Sequence, residues 1–193
     1  MSRVAWGLTL AACALGVTTR RIVAQEVTTA PLTRGTLSFD AKASLGAFTG
    51  TTTTMTGEMH GAASLAGVRG WVEAPSKSLS TSNGHRDRDM ASSLEIDKFP
   101  VIHFDLDSAS AGQQHGDSAA VTLHGRFTIH GQTHSVSIAG WTWVAATGAR
   151  FRGVTPIDVK DYGVGGLSKM LGVLKMNQMI TVRIDVVFGH LPT

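Results

Sequence analysis

From Ser78 to Leu106 the chain reads SLSTSNGHRDRDMASSLEIDKFPVIHFDL. The first part is rich in Ser, Thr, Asn and Gly, residues that bond to their own backbone or tolerate turn conformations. A charge cluster follows, Arg86, Asp87, Arg88 and Asp89. Met90 and Leu94 are four apart, and this spacing predicts a short helix over 88–97. Pro100 stops it, because proline disfavours helical backbone in the residue before it. Ile102, Phe104 and Leu106 then alternate with polar residues, the period of a half-buried strand. The stretch is thus a non-β insert that feeds directly into a strand.

Working outward, nearly everything else has period two. Upstream, 36–41 places Leu37, Phe39 and Ala41 on one face. The segment 49–59 is dominated by threonine, whose β-branching favours extended backbone. The segment 65–74 sets Val68 and Val72 against Trp71 and Glu73, and Pro75 ends it. Downstream, strands are predicted over 101–110, 118–130, 133–144, 150–159 and 179–188. The second and third of these are joined tightly at Gly131-Gln132 as a hairpin. The last is the cleanest, with Ile180, Val182, Ile184, Val186 and Phe188 on one face. Eight mostly adjacent strands, each with one dry face, are best served by closure, which removes exposed sheet edges. The expected fold is all-β, an eight-stranded antiparallel barrel with a short helical insert between strands 3 and 4. A two-sheet sandwich is the alternative. Before the last strand, Leu167, Met170, Leu171 and Leu174 fall at helical spacing and predict an apolar helix, either a lid over the barrel or a plug within it.

The chain of 193 residues suits one domain. Residues 1–24 read as a secretory leader: Arg3, then an apolar run from Val4 to Val17, too short to span a bilayer. A second reading takes Leu10-Ala11-Ala12-Cys13 as a lipoprotein box, with Cys13 lipidated and able to anchor the protein to a membrane. Either reading exports the protein to the periplasm. Residues 25–33 read as a lead-in and 34–190 as the barrel domain. Cys13 is the single cysteine, so the domain is expected to hold no disulfide. The formal charge of +3 is a leader effect: Arg3, Arg20 and Arg21 precede the first acid, Glu26, and without them none is left. No nucleic-acid partner is expected.

The insert has specific likenesses. Ser78, Thr81, Asn83, the Arg86-Asp87 pair, Phe99, Pro100 and Phe104 stand in an order that resembles the YceI-like family of lipid-binding, isoprenoid-binding proteins. GTLSFDAKASLGAFTG, from Gly35, resembles that family's opening, with Thr36 or Ser38, Phe39, Phe48 and Gly50. LHGRFTIHGQTHSV, from Leu123, resembles its hairpin, with Gly125, Phe127, Thr128, Ile129, Gly131 and Thr133. The resemblance runs from about Thr36 to Phe188. It implies a lipocalin-like barrel, exported, holding a polyisoprenoid or similar long-chain lipid. No cofactor and no catalytic residue is expected, because the inward faces hold no converging acid and base. Many members carry a His two residues after the Arg-Asp pair, where this chain has Asp89.

A long apolar ligand needs a dry channel with a few polar groups at its mouth. The inward-facing candidates are Phe39, Val68, Val72, Ile102, Phe104, Leu106, Phe127, Ile129, Val136, Ile138, Ile184 and Val186, with Leu171 and Leu174 from the apolar segment. The same residues would equally fill an ordinary core. Ser78, Asn83, Arg86, Asp87 and Asp89 either meet a headgroup or fix the insert, with Asp87 as a helix cap. Trp141 and Trp143 have the opposite parity to Val136 and Ile138. They lie outside unless Gly140 makes a bulge. His124 and His130 are six apart on one strand, about 20 Å, too far to share a metal ion. No nucleophile elbow and no phosphate loop is present, so hydrolase and nucleotide readings have no support.

Overall fold

The computed structural model describes residues 29–44, 46–61, 65–145, 147–164, 168–169, 174–175 and 177–189. The expected leader with Cys13 and the position of Leu171 lie outside them. The elements are β1 (Thr29–Ala43), β2 (Gly46–Thr52), β3 (Thr56–His60), β4 (Arg69–Pro75), α1 (Gly84–Ser93), β5 (Val101–His115), β6 (Ser118–Ile129), β7 (Gln132–Ala145), β8 (Gly148–Asp158), β9 (Ser168–Lys169), β10 (Leu174–Lys175) and β11 (Met179–Gly189).

The strands form a closed antiparallel barrel. Neighbours run β11-β8-β7-β6-β5-β4-β3-β1, and β1 pairs back onto β11, with Gly35 opposite Val186 and Phe39 opposite Val182. Closure therefore uses the first and last long strands. The hairpin between β6 and β7 turns on two residues, His130 and Gly131, both with positive φ (51° and 71°). Two left-handed residues define the turn whose twist matches the flanking strands, and Gly131 adopts that region without a Cβ penalty.

The structure corrects four details. Segment 49–59 is not one strand. It breaks at 53–55 into β2 and β3, which pair with opposite ends of β1. The Thr52 hydroxyl accepts the Thr54 backbone N–H at 3.0 Å and bonds the Ser78 hydroxyl at 2.7 Å, a local turn that competes with the sheet ladder. β1 begins at Thr29, so the last residues of the expected lead-in are strand, with Ala30 and Leu32 packed against the core. Residues 65–67 are a 3-10 turn, and strand pairing starts only at Arg69. The expected helix before the last strand is replaced, at its described positions, by a two-residue ribbon in which β9 pairs with β10. A helix there would have carried Gly172 in its interior, at a cost of about 1 kcal/mol relative to Ala.

Among the described strands β2 pairs with β1 alone, and its other edge is met by the insert. Thr51 and Ser80 exchange both backbone hydrogen bonds, at 2.9 and 3.0 Å. The insert therefore closes the wall at one end of the barrel, and α1 lies across that end.

Candidate functional site: an apolar cavity beneath the insert

The insert is fixed at both ends. Helix α1 begins at Gly84, four residues earlier than the spacing of apolar residues suggests, since a glycine at the first helical position reads as a turn. Its cap is Asn83, whose side-chain oxygen accepts the N–H groups of His85 and Arg86, both at 3.1 Å. Asp87 is not the cap. Its carboxylate accepts the Thr81 backbone N–H at 2.8 Å, the Thr81 hydroxyl at 2.6 Å and the Ser80 hydroxyl at 3.0 Å. The Thr81 hydroxyl and N–H, followed by Ser80 and the Arg86 charge, hold the Asp87 carboxyl below the usual carboxylate range. At the other end, Ser76 donates its N–H to the Pro100 carbonyl and its hydroxyl to the Phe99 carbonyl, at 2.7 and 3.0 Å. His130 bonds Glu95 at 2.9 Å and the Tyr162 carbonyl at 3.1 Å, and its ring meets Phe99 edge-on.

Beneath this clamp lies a cavity of about 380 Å³. Of the residues expected to line a channel, Phe39, Ile102, Phe127 and Ile129 are on its wall. Leu37, Phe48, Leu79, Met90, Leu94, Val159, Val164, Ile180 and Val182 join them. Asn83 and the charged or titratable groups His85, Arg86 and Asp89 sit at the rim, at the start of α1, and Ser38 and Ser93 are the other polar residues on the wall. The Arg86 guanidinium lies over the Phe48 ring, 4.2 Å from its centroid, and Phe48 in turn meets Phe39 edge-on.

A second cavity, of about 330 Å³, occupies the other end of the barrel. Val68, Val72, Phe104, Leu106, Ile138, Ile184 and Val186 line it, with Leu123, Phe151 and Phe188. Among these, Ile138 is fully buried. Val136 faces inward against the core but lines neither cavity. Leu174 falls in β10, where only the backbone is described. Among the polar candidates, Ser78 and Asp87 fix the insert away from the cavity. Asn83 combines capping with a place at the rim, and Arg86 and Asp89 stand at the rim. Trp141 and Trp143 are on the outer wall. The register of β7 is unbroken through Gly140, so no bulge turns them inward, and Trp141 packs against His115. Among the described residues, no group of three or more His, Cys, Asp or Glu side chains is arranged to hold a metal ion.

The family model for the YceI-like domain matches residues 28–188. The chain belongs to the YceI-like family. The fold agrees with solved structures of low identity. A polyisoprenoid-binding domain from Saccharophagus degradans superposes with a TM-score of 0.67 at 14% identity, covering 86% of this chain and all of that one. Burkholderia cenocepacia BcnA gives 0.66 at 15% identity, covering 79% and 95%. A Campylobacter jejuni YceI protein gives 0.58 at 14%, covering 74% and 85%. Comparison with curated proteins yields no match. Within this YceI-like barrel, sequence parity missed Phe48, Leu79, Met90 and Leu94 as cavity residues. Met90 and Leu94 were visible as a helical pair, but nothing in their spacing says that the helix lies over an open barrel end.

Proposed function

We propose that this protein is a non-catalytic lipid binder that holds a polyisoprenoid or similar amphiphile in the barrel, outside the cytoplasm. The observation that carries the reading is the cavity under α1: a mostly apolar chamber inside a closed barrel, with its charged side chains at one rim. A filled core would leave no such space, since protein interiors pack to crystal density. Binding there needs little polar contact. Each buried methylene contributes roughly 0.8 kcal/mol, so a tail of about a dozen carbons gains on the order of 10 kcal/mol, offset in part by the freedom lost on association. The polyisoprenoid-binding neighbour from Saccharophagus degradans supports the ligand class, and the leader-like residues 1–24 support export.

An enzymatic reading is less favoured. Among the described residues, titratable groups reach the cavities at their ends, His85, Arg86 and Asp89 at the rim and Glu58 and Arg150 at the far end. A lipid-modifying site would set an acid and a base around a reacting atom. The test is saturable uptake of a fluorescent prenyl alcohol by the purified protein. One-to-one uptake, displaced by unlabelled prenyl alcohol, is expected. No uptake would favour a structural module with unused voids.

A further inference from the structure

The two cavities have no lining residue in common, although both lie inside one barrel. The boundary can be located from the register. Phe104 on β5 is directly opposite Phe127 on β6, and their rings meet edge-on, with centroids 6.2 Å apart. Phe127 lines the cavity under α1 and Phe104 lines the far one. On the opposite wall, Leu37 of β1 is paired with Ile184 of β11. Again one member lines each cavity. The partition therefore crosses the barrel at a single level, and aromatic rings form one side of it. Both rings are buried, 4% and 3% exposed. Phe104 holds its position because Gly125, beside it on β6, has no side chain: a Cβ there would stand 2.7 Å from the Phe104 ring.

The geometry points to Phe104 and Phe127 as a stop that sets the length of chain this barrel accepts. This inference rests on the lipid reading above. A methylene occupies roughly the volume of a water molecule in the liquid, about 30 Å³. The cavity under α1 then takes roughly a dozen carbons, two to three isoprene units. The far cavity would extend this to about twice that length, but only with the Phe104 ring out of the way. The ligand class is accordingly a short-chain isoprenoid or an acyl chain of similar length, with its polar end at the Arg86 rim.

The experiment measures affinities of the full chain for prenyl alcohols of two, three, four and more isoprene units, by displacement of a fluorescent prenyl probe. Wild type is compared with Phe104→Ala and with Phe104→Leu, which keeps more of the packing should the alanine variant fail to fold. In wild type, affinity is expected to climb from two units to three and then level off. In the Phe104 variants the climb continues, and the ratio of four-unit to two-unit affinity rises at least about tenfold, a small part of what five added buried carbons can supply. Wild-type affinity that keeps climbing through four and more units would overturn the stop. So would a plateau at the same length in the folded variants. Absence of binding at every length, in wild type and variants alike, would instead overturn the lipid reading on which the inference stands.

Discussion

Val182 gives the sharpest handle on the cavity under α1. Its side chain points inward from β11, 4% exposed, beside Phe39 on β1 and Thr155 on β8. Replacing it with Phe exchanges an isopropyl for a benzyl group, which adds four carbons and no hydrogens on the cavity side. The gain in bulk is that of roughly two methylenes, about 60 Å³, or roughly a sixth of the 380 Å³. A tail held there loses about two methylenes of burial. At about 0.8 kcal/mol each, this is about 1.6 kcal/mol, or roughly 15-fold in affinity. Stability is not expected to fall as in an ordinary core enlargement. Overpacking a filled core costs about 1–3 kcal/mol, but here the ring enters empty space, so Tm is expected to stay close to wild type. The assay pairs displacement of a fluorescent prenyl probe with thermal unfolding. Wild-type affinity in a folded Val182→Phe protein would refute the reasoning, because the tail would then have to lie elsewhere.

Three further outcomes are expected. Asp87→Asn weakens the bonds to Thr81 and Ser80 and should cost about 1–3 kcal/mol in denaturant unfolding while bound lipid is retained; loss of lipid at unchanged stability would make Asp87 a headgroup ligand instead. Asp185 accepts Arg150 at 2.9 and 2.7 Å and Arg152 at 2.7 Å on the outer wall, and these partners, Arg150 first, hold its carboxyl below the usual range. The stabilisation is therefore present above the unfolded value near 3.8 and is lost as pH falls through the folded value, a loss of acid stability that Asp185→Asn should reduce in melting curves across that range. Tyr162 is the single tyrosine, 2% exposed with its hydroxyl unpartnered among the described residues, and burial, aided by the Asp161 charge, pushes its phenol up to about 12. Ultraviolet titration should show no phenolate until about pH 12, stability should fall as pH rises from 10, where the unfolded phenol ionises, towards that value, and Tyr162→Phe should be neutral or stabilising by up to about 1 kcal/mol, since it removes an unsatisfied buried group.

Much of the architecture was legible because alternation is a local property. The inward face of β11 and the hairpin of β6 and β7 follow from residues two apart. The barrel was preferred to a sandwich because closure removes exposed sheet edges, and the pairing of β1 with β11 decides between them. What was not legible depended on side chains acting on backbone. The break between β2 and β3 comes from the Thr52 hydroxyl capturing a backbone N–H within a run of threonines that all favour strand. The start of α1 was hidden by Gly84, and its true cap, Asn83, was masked by the more conspicuous charges beside it. The candidate channel was partly legible: parity placed Phe39, Ile102, Phe127 and Ile129 inside. Its division was not, because the Phe104–Phe127 contact depends on cross-strand register and on Gly125, twenty-one residues along the chain from Phe104. The rim was least legible. Arg86, Asp87 and Asp89 are adjacent in sequence, yet Asp87 turns back to Thr81 while Arg86 turns over Phe48 and Asp89 lines the cavity.

The most direct measurement is the content of the barrel itself. Protein purified without detergent, from cells that make the full chain, is extracted with organic solvent, and the extract is examined by mass spectrometry alongside native mass spectrometry of the intact protein. A single apolar-tailed lipid in near one-to-one amount, reduced in Val182→Phe, is expected. A protein that carries no lipid as purified and takes up no prenyl alcohol when offered one would contradict the proposal that the cavity under α1 holds a lipid tail.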